Sequence, residues 1–284
     1  MPFARAPFCI IQEGKQKSRD LAEAVIAGYG SGEIGYCTPE SEISEQFTPV
    51  IIGVHPTTVK TLHALRFNRR PFVTVDNGYM RGYREGGYYR ATSNALQWIA
   101  SRPGSGVGRD VDCTAIGRER FEALDLEVKP WQVRDPCGHF LVVLQSKVWL
   151  EMMRESPTWV DSVVREIKAY TNREVIVRAK PVKGEPQPPL EQHFENCSGV
   201  IGFSSNVLLK AAMAGIPICT LAYAATSPLG CGTIPSLILN RPFPERESIL
   251  HALAANQWTI EEIASGNMWL DLAARYEPDF LRLA

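Results

Sequence analysis

The sequence predicts an α/β fold of two lobes, each a parallel β-sheet covered by helices, and three observations carry that expectation. Short apolar runs alternate with amphipathic stretches along most of the chain, the pattern of repeated βαβ units. The chain has 284 residues, more than a single core usually encloses. A break near residues 130 to 140 separates two such series, so residues 1–135 and 136–284 are the expected lobes, the second carrying the C-terminal helices.

In the first series, "PFCIIQEG" reads as a buried strand. "KSRDLAEAVIAGYG" follows as a helix, with Leu21, Ala24, Val25 and Ala27 near helical spacing and Gly28 or Gly30 as its stop. "PVIIGV" is the next strand, residues 57 to 66 the next helix, and "PFVTV" a third strand leading into "DNGYMRGYREGGYYR". "SRPGSGVGRD" is a Gly/Ser-rich segment, expected to be a mobile loop. The second series runs through strand "HFLVVLQ", helix "PTWVDSVVREIKAY", strand "EVIVR", a proline-rich loop, helix "LEQHFENC", strand "GVIGF", helix "NVLLKAAMAG" and strand "PICTL". The chain then turns helical in "ERESILHALAANQW", and Thr259 three residues before Glu262 is a capping-box pattern opening "IEEIASG".

Composition excludes several classes. Hydrophobic residues make up 45% and charged residues 21%, ordinary for a chain with a real core. The formal net charge of -1, from 30 basic and 31 acidic side chains, gives no global field to attract a polyanion or a membrane. The seven cysteines form no CxxC pair and stand at no zinc-ligand spacing, so reduced, mostly buried thiols and no metal are expected. "FCII" is too short for a signal core and no apolar run reaches about 18 residues, so a cytoplasmic protein without a membrane partner is expected.

Ser204, Ser205 and Asn206 stand together where "GVIGF" gives way to a helix. In open parallel sheets ligands lie beyond the carboxyl ends of the strands, where helix amino ends present free N–H groups. Two hydroxyls and an amide there suit a phosphate or diphosphate, and the same residues are equally good helix caps. Arg178 and Lys180 at the end of "VIVRAKP", with Lys183 beyond, add cations at the same sheet edge and favour the anion.

The segment "VIVRAKP", the proline-rich loop and "PLEQHFENCSGVIGFSSNVLLKAAMAGIPICTL" resemble the nucleotide-sugar-binding lobe of GT-B glycosyltransferases. The similarity is to bacterial capsule and lipopolysaccharide sugar transferases, and "LAANQWTIEEIASGNMW" looks like the tail of phage-encoded glycosyltransferases. The resemblance covers about residues 170 to 270, with a weaker echo in "VDNGY" and "GGYYR". A carboxylate that the family carries on the helix falls at Lys210 here. The resemblance implies two Rossmann-like lobes facing a cleft, with Arg178, Lys180, Lys183, Ser204, Ser205 and Asn206 holding a nucleotide-diphosphate sugar. It implies no metal and no separate cofactor, because cations and a helix amino end can stabilise the leaving diphosphate. "DVD" at 110 to 112 could mimic a metal-binding motif but sits in the glycine-rich segment.

An acceptor hydroxyl needs a base. Asp76 and Glu13 stand at expected strand ends and are the catalytic candidates, with Asp76 also suited to an Asx turn and Glu13 to a solvated loop. His55 is a third option, and Gly14 would let the first loop approach substrate. Residues 66 to 90 hold six arginines against two acids, interleaved with Tyr79, Tyr83, Tyr88 and Tyr89. Arginine beside stackable aromatics grips backbone phosphates and exposed bases. Tyr79, Arg81, Arg84, Tyr89 and Arg90 are therefore acceptor-binding candidates, and a DNA acceptor carrying a hydroxymethylated base is one reading. The other readings are tyrosines in a core or stacked on a sugar with the arginines a solvated rim, a glycan acceptor, a nucleotide-sugar-binding protein without turnover, and an epimerase or hydrolase on the same frame.

Overall fold

The computed structural model describes residues 5–82, 86–94, 114–180 and 187–280. The glycine-rich segment at 101 to 110 and "DVD" lie outside them. In chain order the elements begin with β1 (Ala6–Ile11), α1 (Gln16–Tyr29), β2 (Glu33–Tyr36), β3 (Phe47–Ile52), α2 (Pro56–Phe67), β4 (Val73–Asn77), β5 (Tyr89–Ser93) and α3 (Thr114–Ala123). Next come β6 (Phe140–Val143), α4 (Lys147–Met153), α5 (Trp159–Tyr170), β7 (Val175–Arg178), α6 (Leu190–Phe194), β8 (Gly199–Gly202), α7 (Asn206–Met213), β9 (Ile218–Thr220), α8 (Ile234–Leu239) and α9 (Glu247–Ala255). β10 (Gln257–Trp258), α10 (Ile260–Ala264) and α11 (Asn267–Phe280) close the order. The expected strands and helices of both series are present. Beyond them are β2, β5 and β10, which are short or polar, and helices α3, α4 and α8.

Two compact units result, one comprising the residues up to Leu124 together with those from His251 onward, the other Asp125 to Leu250. The division corrects the expectation of a continuous second lobe over 136–284. In the first unit the sheet order is β10-β5-β4-β3-β1-β2. β2, β1, β3 and β4 are mutually parallel, β5 runs antiparallel to β4, and β10 antiparallel to β5.

The C-terminal segment joins this unit because its apolar side chains complete the unit's core. Trp258 and Trp269 are wholly buried among Leu21, Val25, Val50, Val73 and Tyr89. Both indoles are also satisfied: Trp269 Nε1–H donates to Val25 O at 2.9 Å and Trp258 Nε1–H to Asp271 Oδ2 at 2.8 Å. α10 lies so close to α1 that a Cβ on Gly28 would sit 2.0 Å from Ile263 O. Arg120 of α3 binds Glu262 at 2.6 Å and also donates to Gln257 O.

The second unit has a four-stranded, all-parallel sheet in the order β7-β6-β8-β9. Such strands are buried on both faces and read as continuous apolar runs, as "FLVV" and "GVIG" do. The amino ends of β6, β7 and β8 are tied by one carboxylate. Asp135 accepts from Arg173 Nη1 at 2.7 Å, Ser198 Oγ at 2.9 Å and the Cys137 N–H at 3.0 Å, and Arg241 Nη1 stands 3.3 Å away. Burial pushes the Asp135 carboxyl up, but the Arg173 hydrogen bond, those from Cys137 and Ser198, and the Arg241 charge outweigh it and hold it below the usual aspartate value.

Because that folded value is depressed, its contribution to stability is present above the unfolded carboxyl value and disappears as pH falls through the folded one. Asp135→Asn should therefore lower the stability of this unit by about 2 kcal/mol at neutral pH. The deficit should close at acid pH, once the carboxyl is protonated in the folded protein too. Urea melts of both proteins at the two pH values check this, and equal stability at neutral pH would show that the cluster contributes nothing.

Candidate functional site

The strand order of the second unit marks a candidate ligand edge. The chain goes from β6 to β7 on one side and then to β8 on the other, so the switch in direction falls between β6 and β8, and crevices for ligands form beyond the carboxyl ends of such a pair. The two ends meet closely. Gly202 closes β8 where a Cβ would lie 2.6 Å from Val143 Cγ2 of β6. Phe203 is buried against Trp149 and Trp159, with ring centroids 5.0 Å and 4.7 Å away, and this anchors the loop that carries Ser204.

Directly across the switch, Gln145 Nε2 donates to Ser204 Oγ at 2.8 Å. The other end of that amide, Oε1, is buried with no hydrogen-bond partner. A buried unpaired acceptor is uncommon in a folded protein, and a ligand hydroxyl or N–H would satisfy it. Ser205 caps α7, its Oγ accepting from the Val207 N–H at 3.3 Å, so the helix-cap reading holds for this residue. Asn206 is the first residue of α7 and is half-buried.

Arg178 ends β7, which neighbours β6 rather than β8, and so stands one strand away from the switch. Strands are spaced by about 4.8 Å, placing the ends of β7 and β8 roughly 10 Å apart with Gln145 between them. The Arg178 guanidinium donates to Pro188 O at 3.0 Å, bracing the return of the proline-rich loop. Lys180 is exposed, and Lys183 lies outside the described residues. The structure thus brings Ser204 together with Gln145, a residue that the sequence reading placed inside a strand, and gives Arg178 a backbone partner of its own.

The first unit repeats the topology: the chain passes from β1 to β2 and then to β3 on the opposite side, so its switch lies between β1 and β3. Glu13 and Gly14 follow β1, both exposed, with Gly14 at φ +71°. His55 follows β3 and precedes α2. Its backbone N–H donates to Thr58 Oγ1 at 3.0 Å, and its ring lies over Gly53, where a Cβ would come within 2.7 Å of Nε2. Burial lowers the His55 pKa, Asp76 opposes that, and Lys15 and Lys17 reinforce it. The net result is a neutral imidazole at pH 7.

Asp76 lies one strand beyond the switch, on β4. Its Oδ2 accepts from Arg90 Nη2 at 3.0 Å and its Oδ1 from the Asn77 N–H at 2.8 Å. Tyr79 and Tyr89 are 4% and 3% exposed, which corrects their expected place on an acceptor-binding surface: both belong to the interior. Arg90 is likewise buried, its guanidinium 5.2 Å from the Tyr79 ring. Arg70 binds the carbonyls of Ile43 and Ser44 at 2.7 Å and 2.8 Å. Of the expected basic patch, Arg66, Arg69 and Arg81 remain exposed, and Arg84 lies outside the described residues. Among the described residues no group of three or more His, Cys, Asp or Glu could hold a metal ion, and no helix is long and apolar enough to cross a membrane.

No protein-family model matches the sequence, and no curated protein matches it either. Among solved structures the chain is similar to two transferases of Thermosulfurimonas dismutans KpsC. With the beta Kdo 2,7 transferase it shares a TM-score of 0.54 at 12% identity, over 94% of this chain and 100% of that one. With the beta Kdo 2,4 transferase the TM-score is 0.53 at 12% identity, over 89% and 92%. At this identity the likeness is one of fold, and it gives the chain a GT-B-like architecture. The expected likeness to phage enzymes receives no support from either structure.

The His55 environment has a measurable consequence. A histidine whose folded pKa lies below the unfolded value of about 6.5 takes its proton later in the folded state, so stability falls as pH drops through the unfolded value and levels off below the folded one. His55→Gln should flatten that part of the stability–pH profile, from neutral pH down through the unfolded value. Thermal melts across that range check it, and a variant that keeps the wild-type slope would assign the effect to another group.

Proposed function

We propose that the chain is a glycosyltransferase that moves a sugar from a nucleotide-activated donor, bound by the second unit, to a hydroxyl of an acceptor bound by the first. The observation that carries this reading is the Gln145–Ser204 pair at the β6/β8 switch of a GT-B-like fold. Ser204, Ser205, Asn206 and the amino end of α7 would face the phosphate of the donor, and the unpaired Gln145 Oε1 would accept from a donor hydroxyl or N–H. Arg178, Lys180 and Lys183 would share the charge of a leaving diphosphate, so that the reaction proceeds with neither a metal nor a separate cofactor.

At the first unit the proton of the acceptor hydroxyl passes to a base near the β1/β3 switch. His55 suits this best, because its imidazole is neutral at pH 7 and Asp76 stabilises the charge it would gain. Glu13 and Asp76 are the alternative bases. For the acceptor a glycan is favoured over a hydroxymethylated base of DNA. A flipped base needs exposed aromatic rings to stack on, whereas Tyr79 and Tyr89 are interior and Arg90 is paired with Asp76.

Binding of a nucleotide sugar should raise the melting temperature by mass action, so a panel of donors scanned by thermal shift tests the reading directly. Gln145→Ala and Arg178→Ala should each weaken the best donor by about 1.5 to 3 kcal/mol in calorimetry if they make charged or buried hydrogen bonds to it. A chain that no nucleotide or nucleotide sugar stabilises is not a transferase of this kind.

For catalysis, the variants His55→Gln, Asp76→Asn and Glu13→Gln should separate the base from its neighbours. The residue that takes the proton should lose about 100- to 10,000-fold in turnover with donor affinity unchanged. Unchanged turnover in all three would remove the base from this edge. Acceptor binding that weakens steeply with salt would favour DNA over a glycan.

A further inference from the structure

The thiols do not all lie in the core. Cys9, Cys197 and Cys219 are buried, Cys37 and Cys231 are half-buried, and Cys137 is exposed. Two of them meet. The chain leaves the carboxyl end of β9, makes the loop 221–230, and returns so that Cys231 pairs in parallel register with Cys219 in the middle of β9. Two backbone bonds fix this register: Cys231 N–H donates to Ile218 O at 3.1 Å and Thr220 N–H to Cys231 O at 2.8 Å. Residues in register share a face, so the two thiols are neighbours, and Cys231 Sγ donates to Ile218 O at 3.5 Å and to Thr233 O at 3.4 Å.

Neighbouring strands stand about 4.8 Å apart, inside the Cα separation of roughly 4.4 to 6.8 Å that a disulfide spans. The loop between them is itself a built feature. Ser227 Oγ accepts from the Ala224 N–H at 2.9 Å and donates to Ala222 O at 3.0 Å, and Thr220 and Thr226 hydroxyls meet at 3.3 Å. Its first residue is fastened to the candidate donor edge, with Leu221 N–H donating to Gly202 O at 2.8 Å.

We propose that Cys219 and Cys231 are a dithiol that a low-molecular-weight disulfide oxidises to an intrachain disulfide, fastening the loop 221–230 at its base. The neighbouring Cys219 thiol makes Cys231 the more easily ionised of the two, while that same proximity and burial keep Cys219 protonated. The half-buried Cys231 thiolate attacks one sulfur of glutathione disulfide, forming a mixed disulfide and releasing one glutathione thiolate. Cys219 then loses its proton and displaces the second glutathione from Cys231. Two protein thiols give up two electrons and two protons, and one glutathione disulfide becomes two molecules of glutathione. The remaining cysteines of the described chain lack such a partner in register.

The test uses the full chain, incubated with glutathione disulfide, alkylated and mapped by mass spectrometry. The expected result is a loss of two hydrogens, a single cross-linked peptide pair containing Cys219 and Cys231, reversal by dithiothreitol, and a higher melting temperature for the oxidised form. Cys231→Ser should show neither the cross-link nor the shift. If the wild-type chain keeps both thiols open to alkylation on unfolding, or stops at a glutathione adduct on Cys231, the proposal is overturned, and because that result comes from the wild-type protein it stands even if the variant folds poorly.

Discussion

The second unit depends on how closely two strand ends can approach. β6 and β8 come together at their carboxyl ends because Gly202 presents no side chain to Val143. That proximity lets the residues just beyond, Gln145 and Ser204, join by a hydrogen bond across the switch in strand order. Phe203, held between Trp149 and Trp159, supplies the rigidity that a polar contact on a loop would otherwise lack. Backbone geometry, aromatic packing and polar chemistry converge on four consecutive residues, from Gly202 to Ser205.

The same order of parallel strands, with the second outside the first and the third and fourth on the other side, recurs in both units. Each therefore offers a crevice of its own at the end of its first and third strands, and the two are lined differently. The first gathers titratable groups, Glu13 and His55, with Lys15, Lys17 and Asp76 acting on the histidine. The second gathers neutral hydrogen-bonding groups at the start of a helix. The division of roles proposed above, proton transfer at one edge and recognition of an anionic group at the other, rests on those side chains. Asp135, by contrast, binds at the amino ends of the strands and serves the fold.

Much of the fold was legible because long amphipathic helices and continuous apolar strands carry strong periodicity, as in α1, α2, α5, β3 and β6. β2 and β10 were not, being four and two residues long, and the polar "YRATS" of β5 carries no buried-strand signal. Strand order is set by tertiary packing and leaves no local trace. For that reason the sequence reading set Ser204 beside Arg178, which stands one strand further out, and absorbed Gln145, the hydrogen-bond partner of Ser204, into a strand. Asp76 was displaced from the first switch in the same way. The interleaved arginines and tyrosines of residues 66 to 90 looked like a binding surface, yet alternation along β5 turns Tyr89 inward, where Trp258 lies opposite it. Nothing local in "NMWLDLAARYE" says which core its tryptophan will join.

The pairing of β10 with β5 also bears on how the chain acquires its structure. Trp258 and Trp269 reach their places beside α1 and the central strands only after every residue of the second unit has been made. A ribosome-bound chain ending anywhere before residue 251 would hold an incomplete first unit, with β5 as an uncovered edge and the cavity for two indoles open. The second unit, contiguous in sequence, can fold first during synthesis, leaving the amino-terminal part to wait for its closing segment. An exposed strand edge is a template for intermolecular pairing, so the interval before closure is when this protein is most prone to aggregate.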